Sequence, residues 1–309
     1  MSKTALLFAG QGAQFVGMGR DLAEAHSRAR DLFEQANEIL GYDLARICFE
    51  GPEAELTRTE NAQPAIYLTS WVALELLREQ LPDLTFEAAA GLSLGEFTAL
   101  AAGEAMSFED GLNVVRLRGR FMQEACDATN GGMAAIIGLE EKETRSVCAS
   151  ADVEIANLNC PGQIVISGEL EKISRACELA KERGAKRAIP LSVAGAYHSR
   201  LMVGATEKLG EVLANTEISM PSVPVIANVD GHPHGGSEDI RRRLVAQVTG
   251  SVLFEQSIRN LIANGFTRFI ELGPGTALTG FLRRIDKTVE VHNIGDCNSL
   301  EKTVAVLGG

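Results

Sequence analysis

Residues 4–9, TALLFA, read as a short buried strand, apolar without a break from Ala5 to Ala9, and Gly10-Gln11-Gly12-Ala13-Gln14 ends it in a glycine-rich turn. Over 20–40 the spacing changes to that of a helix, with Leu22, Phe33, Ile39 and Leu40 apolar among charges. Pro64, at a first-turn position, opens a second predicted helix over 64–80. Residues 86–91 are mostly small and apolar and read as a buried strand, and the pattern turns helical from Gly95 to Gly103. Ser93, in Gly91-Leu92-Ser93-Leu94-Gly95, therefore falls at a strand-to-helix turn. Residues 108–126 predict a further helix.

The texture then changes. Residues 131–139 read as a strand, the charged segment after them as a helix, and two strands flank the Cys160-Pro161-Gly162 turn. An amphipathic helix follows, stopped by Gly184, and then a last strand in AKRAIPLSV. The order β-α-β-β-α-β is that of a ferredoxin-like unit. It predicts an inserted small domain over 128–195, with 1–127 and 196–309 forming one large α/β domain. In the latter part 223–231 reads as a strand, 241–265 as largely helical, 266–275 as a strand entering a glycine turn, and 276–285 as a helix.

Composition narrows the possibilities. At 45% hydrophobic residues the chain can bury a substantial core. Against 29 Lys and Arg stand 41 Asp and Glu, a net charge of −12, which argues against general nucleic-acid binding. No stretch is long and apolar enough to cross a membrane, and the apolar run near the N-terminus is too short for a signal-peptide core. The six cysteines form no CxxC pair, which suggests reduced, mostly buried thiols in a cytoplasmic or organelle-matrix protein rather than a zinc site or disulfide framework.

A G-x-S-x-G sequence between a strand and a helix is a nucleophile elbow: the turn exposes the hydroxyl, and the helix N-terminus offers unpaired N–H groups to developing negative charge. Such a serine needs a base. Among the histidines, His26 lies in a charged helix, His232 and His234 in a glycine-rich loop without the neighbours of a metal site, and His292 in or beside a strand. His198 lies where the small domain returns to the large one, a junction that borders a cleft, and is the best candidate. Arg116, Arg118 and Arg120 cannot share one helix face. A guanidinium turned into the cleft, Arg118, would clamp a carboxylate with two hydrogen bonds.

Taken in order, FAGQGAQFVGMG, GLSLGEFTAL, RLRGRFMQEA, NLNCPGQIVISG, GAYHSRLM, VIANVDG, QVTGSVLFEQSI and ELGPGTALTGFLRRI resemble the malonyl-CoA:acyl carrier protein transacylases of fatty acid synthesis, nearly end to end. They are similar, more distantly, to the acyltransferase domains of polyketide synthases. The resemblance implies a hydrolase-like α/β domain with a ferredoxin-like insert, malonyl transfer through a serine ester, and no metal or redox cofactor. By position it implies Ser93 as nucleophile and His198 as base, with the backbone N–H groups of Gln11 and Leu94 as oxyanion hole. It further implies that Arg118 holds the malonyl carboxylate and that the backbone carbonyl of Gln247 orients His198, where a hydrolase has an aspartate. The aromatic before His198 goes, in the polyketide relatives, with malonyl rather than methylmalonyl. Two positions depart from the family: Leu92 stands where many members have histidine, and Val203-Gly204 follows Leu201-Met202 where a proline is frequent.

A serine esterase would share the elbow but would place Asp or Glu on the histidine and need no arginine. A non-catalytic carrier-protein-binding subunit would not need Ser93, His198 and Arg118 together. Because carrier proteins of this pathway are acidic, docking on so acidic a chain requires local basic residues. Lys186 and Arg187 on the small domain, and Arg283 and Arg284 on the large one, are the candidates.

Overall fold

The computed structural model describes residues 2–308. Its main sheet is parallel, with strands β1 (Lys3–Phe8), β2 (Ala88–Gly91), β7 (Phe266–Leu272) and β8 (Glu290–Ile294) in the order β2-β1-β7-β8. Both faces of β1 are covered: Leu6 and Phe8 join one apolar cluster, Ala5 and Leu7 another. This explains the unbroken apolar run. Phe8 pairs with both Gly91 and Leu272, so β1, β2 and β7 end level with one another. The three loops leaving those carboxyl ends share one edge, the customary place for a ligand site in a parallel sheet.

The second sheet is antiparallel, with β3 (Gly131–Ile137), β4 (Glu154–Cys160), β5 (Gln163–Glu169) and β6 (Arg187–Pro190) in the order β4-β5-β3-β6. With the helices Glu141–Ala151 and Leu170–Glu182 it forms the β-α-β-β-α-β unit, in ferredoxin-like strand order. Ile136, Ile164, Ile166, Val147 and Ile173 build its own core. Met133, Ala156 and Val165 join the main core. Leu158 N–H donates to the Val252 carbonyl at 2.9 Å, and Val252 N–H to that of Ala156 at 2.8 Å, fastening the unit to the large sheet's side.

Four elements differ from the pattern reading. The helix placed over 20–40 is two, Arg20–Ala25 and Ser27–Leu40, separated by an extended His26 at φ −123°, ψ 124°. The helix assigned to 64–80 runs Thr59–Gln80, so Pro64 is interior and not in the first turn. Its early start is held from outside, because Gln123 Oε1 accepts the Thr59 N–H at 3.0 Å. Residues 223–231 form no ladder strand: Val225 bridges Ala89 and Ile226 bridges Pro233, each as an isolated bridge, and the chain turns from Asn228. Pro224 has no N–H to continue a ladder. The helical run 241–265 is interrupted, as Ser237–Gln247 and Phe254–Ala263.

Candidate active site

The elbow is built from glycines that leave no room for a side chain. A Cβ on Gly91 would lie 2.0 Å from the Gly95 carbonyl carbon, one on Gly95 2.1 Å from Phe8 O, and one on Gly10 2.3 Å from Leu92 O. The end of β1, the turn and the Leu94–Ala102 helix are thereby in backbone contact. Ser93 sits between them at φ 53°, ψ −99°, a conformation that costs a non-glycine residue about 1–3 kcal/mol. It is held from behind: its N–H donates to Asn228 Oδ1 at 2.6 Å and its carbonyl accepts Gln247 Nε2 at 3.0 Å, while Asn228 Nδ2 donates to Gly91 O at 2.8 Å.

His198 reaches the same point from the return of the small unit. It is buried, at φ 57°, with Nε2 2.8 Å from Ser93 Oγ and Nδ1 2.8 Å from the Gln247 carbonyl. A carbonyl only accepts, so Nδ1 carries the proton and the Nε2 lone pair faces the serine hydroxyl. Burial, and then the nearby Arg118 charge, pull His198 down to about 4, which keeps the imidazole neutral at physiological pH. The orienting carbonyl is available because the Ser237–Gln247 helix ends there, where a last-turn C=O has no intrahelical donor. The negative end of that helix would also favour an imidazolium at His198.

Arg118 lies on the Phe108–Asp127 helix with 1% of its surface exposed. Arg120 turns outward, 3.7 Å from Glu124, as the helix periodicity requires. The Arg118 guanidinium stands 5.1 Å from the centroid of Phe97. Its Nη1 donates to Gln63 Oε1 at 2.7 Å, and its Nη2 to Gln247 Oε1 at 2.9 Å and Ser93 Oγ at 3.1 Å. A positive charge is thus held against the Ser93 hydroxyl. Ser93 N–H is already taken by Asn228, whereas Leu94 opens the helix and has no intrahelical acceptor for its own N–H. Gln11, in the turn after β1, lines the same cleft, and its Nε2 donates to the Tyr197 hydroxyl at 3.1 Å.

The cleft has a volume of about 940 Å³ and is walled by both sheets: Gln11, Ser93 and His198 on one side, Met133, Asn157 and Gln163 on the other. It brings together Ser93, His198, Gln11 and Leu92, with Arg118 and Gln247 directly behind. His234 does not belong to an open loop, as the glycines around it suggested. It is buried, with Nε2 2.8 Å from Glu96 Oε1. Glu96, Asn228 and Gln63 are the polar residues that pattern reading missed. Asn228 and Gln63 carry no local signal, and Glu96 reads as an ordinary first-turn helix glutamate.

A strained serine at a helix N-terminus beyond a parallel strand, bonded to a neutral imidazole, defines the serine acyl-transfer enzymes of the nucleophile-elbow class. Residues 5–303 match the family described as acyl transferase domain. A malonyl CoA-acyl carrier protein transacylase of Bacillus subtilis (strain 168) is 46% identical over 99% of this chain and 98% of its own length. A solved acyl-carrier-protein S-malonyltransferase from Bartonella henselae is 39% identical with a TM-score of 0.94, covering 99% of this chain and 100% of that one. A malonyl-transacylase solved in complex with a type II polyketide synthase acyl-carrier protein is 36% identical with a TM-score of 0.95, over 99% of this chain and 100% of that one. The chain belongs to the acyl transferase family, among its malonyl CoA-acyl carrier protein transacylases. No helix among the described residues is long and apolar enough to cross a membrane.

Proposed function

We propose that this chain transfers malonyl from malonyl-CoA to the phosphopantetheine thiol of acyl carrier protein, supplying fatty acid synthesis in the cytoplasm. The observation that carries the reading is the buried Arg118 guanidinium within hydrogen-bonding distance of the Ser93 hydroxyl. A cation there suits an acyl group that ends in a free carboxylate.

His198 Nε2 takes the Ser93 proton as Oγ attacks the thioester carbonyl carbon. The backbone N–H groups of Gln11 and Leu94 receive the oxyanion. The carbon–sulfur bond breaks, the His198 proton passes to the CoA sulfur, and a malonyl-Ser93 ester remains. The carrier-protein thiol then gives its proton to His198 and attacks the ester, and Ser93 recovers its proton as it leaves. Gln247 acts through its backbone carbonyl, holding His198 in the tautomer the reaction needs. The scheme calls for no metal or redox cofactor. The small unit, assigned to 128–195, closes the cleft that 1–127 and 196–309 open, and Lys186, Arg187, Arg283 and Arg284 receive the acidic carrier.

Intact-protein mass spectrometry after mixing with malonyl-CoA tests the reading. A malonyl adduct on Ser93, discharged by holo carrier protein, is expected. Ser93→Ala, which exchanges one small side chain for another at the turn, should fold and form none, with transfer falling by about 10⁴-fold or more. Adduct on the Ser93→Ala protein would sink the assignment.

A further inference from the structure

Behind the elbow lies a buried carboxylate that the acyl-transfer scheme does not use. Glu96 is the third residue of the helix that follows Ser93, and it is wholly buried. Its Oε1 faces His234 Nε2 at 2.8 Å, and its Oε2 accepts Asn228 N–H at 2.9 Å and Gln247 Nε2 at 2.7 Å. The Gln247 amide therefore stands between two charges, with Nε2 on Glu96 and Oε1 accepting from Arg118.

Among the described residues Arg118 hydrogen-bonds only to neutral acceptors: two amide oxygens and a hydroxyl. A cation so buried needs a balancing charge. Burial draws Arg118 down to about 10, and the Glu96 charge is the strongest effect opposing it. Direct contact with Glu96 would fill the guanidinium fork. With one amide between them, the fork remains free to exchange its neutral acceptors for a substrate carboxylate.

We propose that Glu96 is the counter-ion of Arg118 in the substrate-free enzyme, acting through the Gln247 amide, and that it limits how tightly Arg118 holds a carboxylate. The proposal rests on the malonyl reading above for its substrate. When malonyl enters, two anions share one cation. Their repulsion weakens the hold on a group that must leave with the carrier protein in every cycle. Glu96 touches no reacting atom, so its role is one of positioning and charge.

Glu96→Gln tests this with little change of shape. Its single oxygen can accept from Asn228 and Gln247, and its amide can donate to His234 Nε2 once the imidazole proton moves to Nδ1. In a Ser93→Ala background, which forms no ester, calorimetry gives Kd for malonyl-CoA and acetyl-CoA. Glu96→Gln should tighten malonyl-CoA about tenfold, from charges interacting across a protein interior. Acetyl-CoA should stay within about twofold, and Glu96→Asp, which keeps the charge, should not reproduce the change. Equal change for both ligands, or weaker malonyl-CoA binding, overturns the proposal.

A second measurement needs no substrate and stands if Glu96→Gln alone fails to fold. The double variant Glu96→Gln/Arg118→Gln should melt higher than Arg118→Gln, in which Glu96 has lost the guanidinium charge. A lower melting point makes Glu96 a structural residue only and refutes the pair. Failure of wild-type protein to form the malonyl ester counts instead against the substrate assignment, and the melting comparison still decides the pair.

Discussion

Arg118→Ala should shift the ratio of malonyl to acetyl transfer sharply toward acetyl. In the free protein the fork donates to Gln63, Gln247 and Ser93 at 2.7, 2.9 and 3.1 Å. A malonyl carboxylate would replace two of these acceptors. The two bonds given up also have a charged donor and offset the two formed. The gain is therefore the attraction between full charges, about 4 kcal/mol at about 4 Å in an effective dielectric of about 20, less the cost of desolvating the carboxylate. The net is about 2–3 kcal/mol, and at about 1.4 kcal/mol per tenfold it amounts to roughly 30- to 150-fold in kcat/KM for malonyl. Acetyl has no carboxylate and loses none of this. The truncation also leaves a cavity and frees the Gln247 side chain, but both losses strike the two substrates alike and cancel in their ratio. The assay is kcat/KM for malonyl-CoA and acetyl-CoA with holo carrier protein, in wild type, Arg118→Ala and Arg118→Lys. Lysine should restore only part of the ratio, because a point charge cannot make both bonds of the fork. If the ratio is unchanged in Arg118→Ala, Arg118 is structural and the carboxylate is held elsewhere.

Three further outcomes follow. With His198 held down to about 4 from an ordinary 6.5, the rate of Ser93 acylation should stay level through neutral pH and fall with a midpoint near 4; a midpoint near 6.5 would contradict the burial argument. The same histidine takes up its proton more readily unfolded than folded. Its contribution is therefore whole above pH 6.5 and lost on acidification toward 4, amounting to about 3 kcal/mol that a His198→Gln protein should lack in a pH series of denaturant midpoints. At the cleft mouth, Arg284 donates to Gln163 Oε1 at 2.9 Å and Pro161 O at 2.8 Å, and Lys186 packs beside Gly138 on the same corner. Reversing both charges to Glu should raise KM for carrier protein several-fold and flatten its salt dependence, with KM for malonyl-CoA unchanged; equal effects on both substrates would remove the docking role.

Much of this arrangement was legible in the chain because it is local. The run from Ala5 to Ala9 is apolar on both faces, which marks a doubly covered strand, and the small-domain strands and helices keep clean periods of their own. The glycines at 91 and 95 announce a turn where backbone meets backbone, and that alone places Ser93 at a helix N-terminus. The motif order carried the resemblance, and with it His198, Arg118 and Gln247, which no periodicity could bring together across the sequence.

What the tertiary structure alone decided is where polar groups find partners after burial. The Thr59–Gln80 helix starts ahead of Pro64 because Gln123 accepts the Thr59 N–H from another helix. The Ser237–Gln247 helix stops where its last carbonyl is needed by His198, although the apolar spacing runs on. His234 and Glu96, 138 positions apart in the chain, bury each other behind Ser93. Hydrophobic spacing records which side of an element faces inward. A buried hydrogen bond between distant residues leaves no such period, since its cost appears only when water is excluded and its partner arrives from elsewhere in the fold.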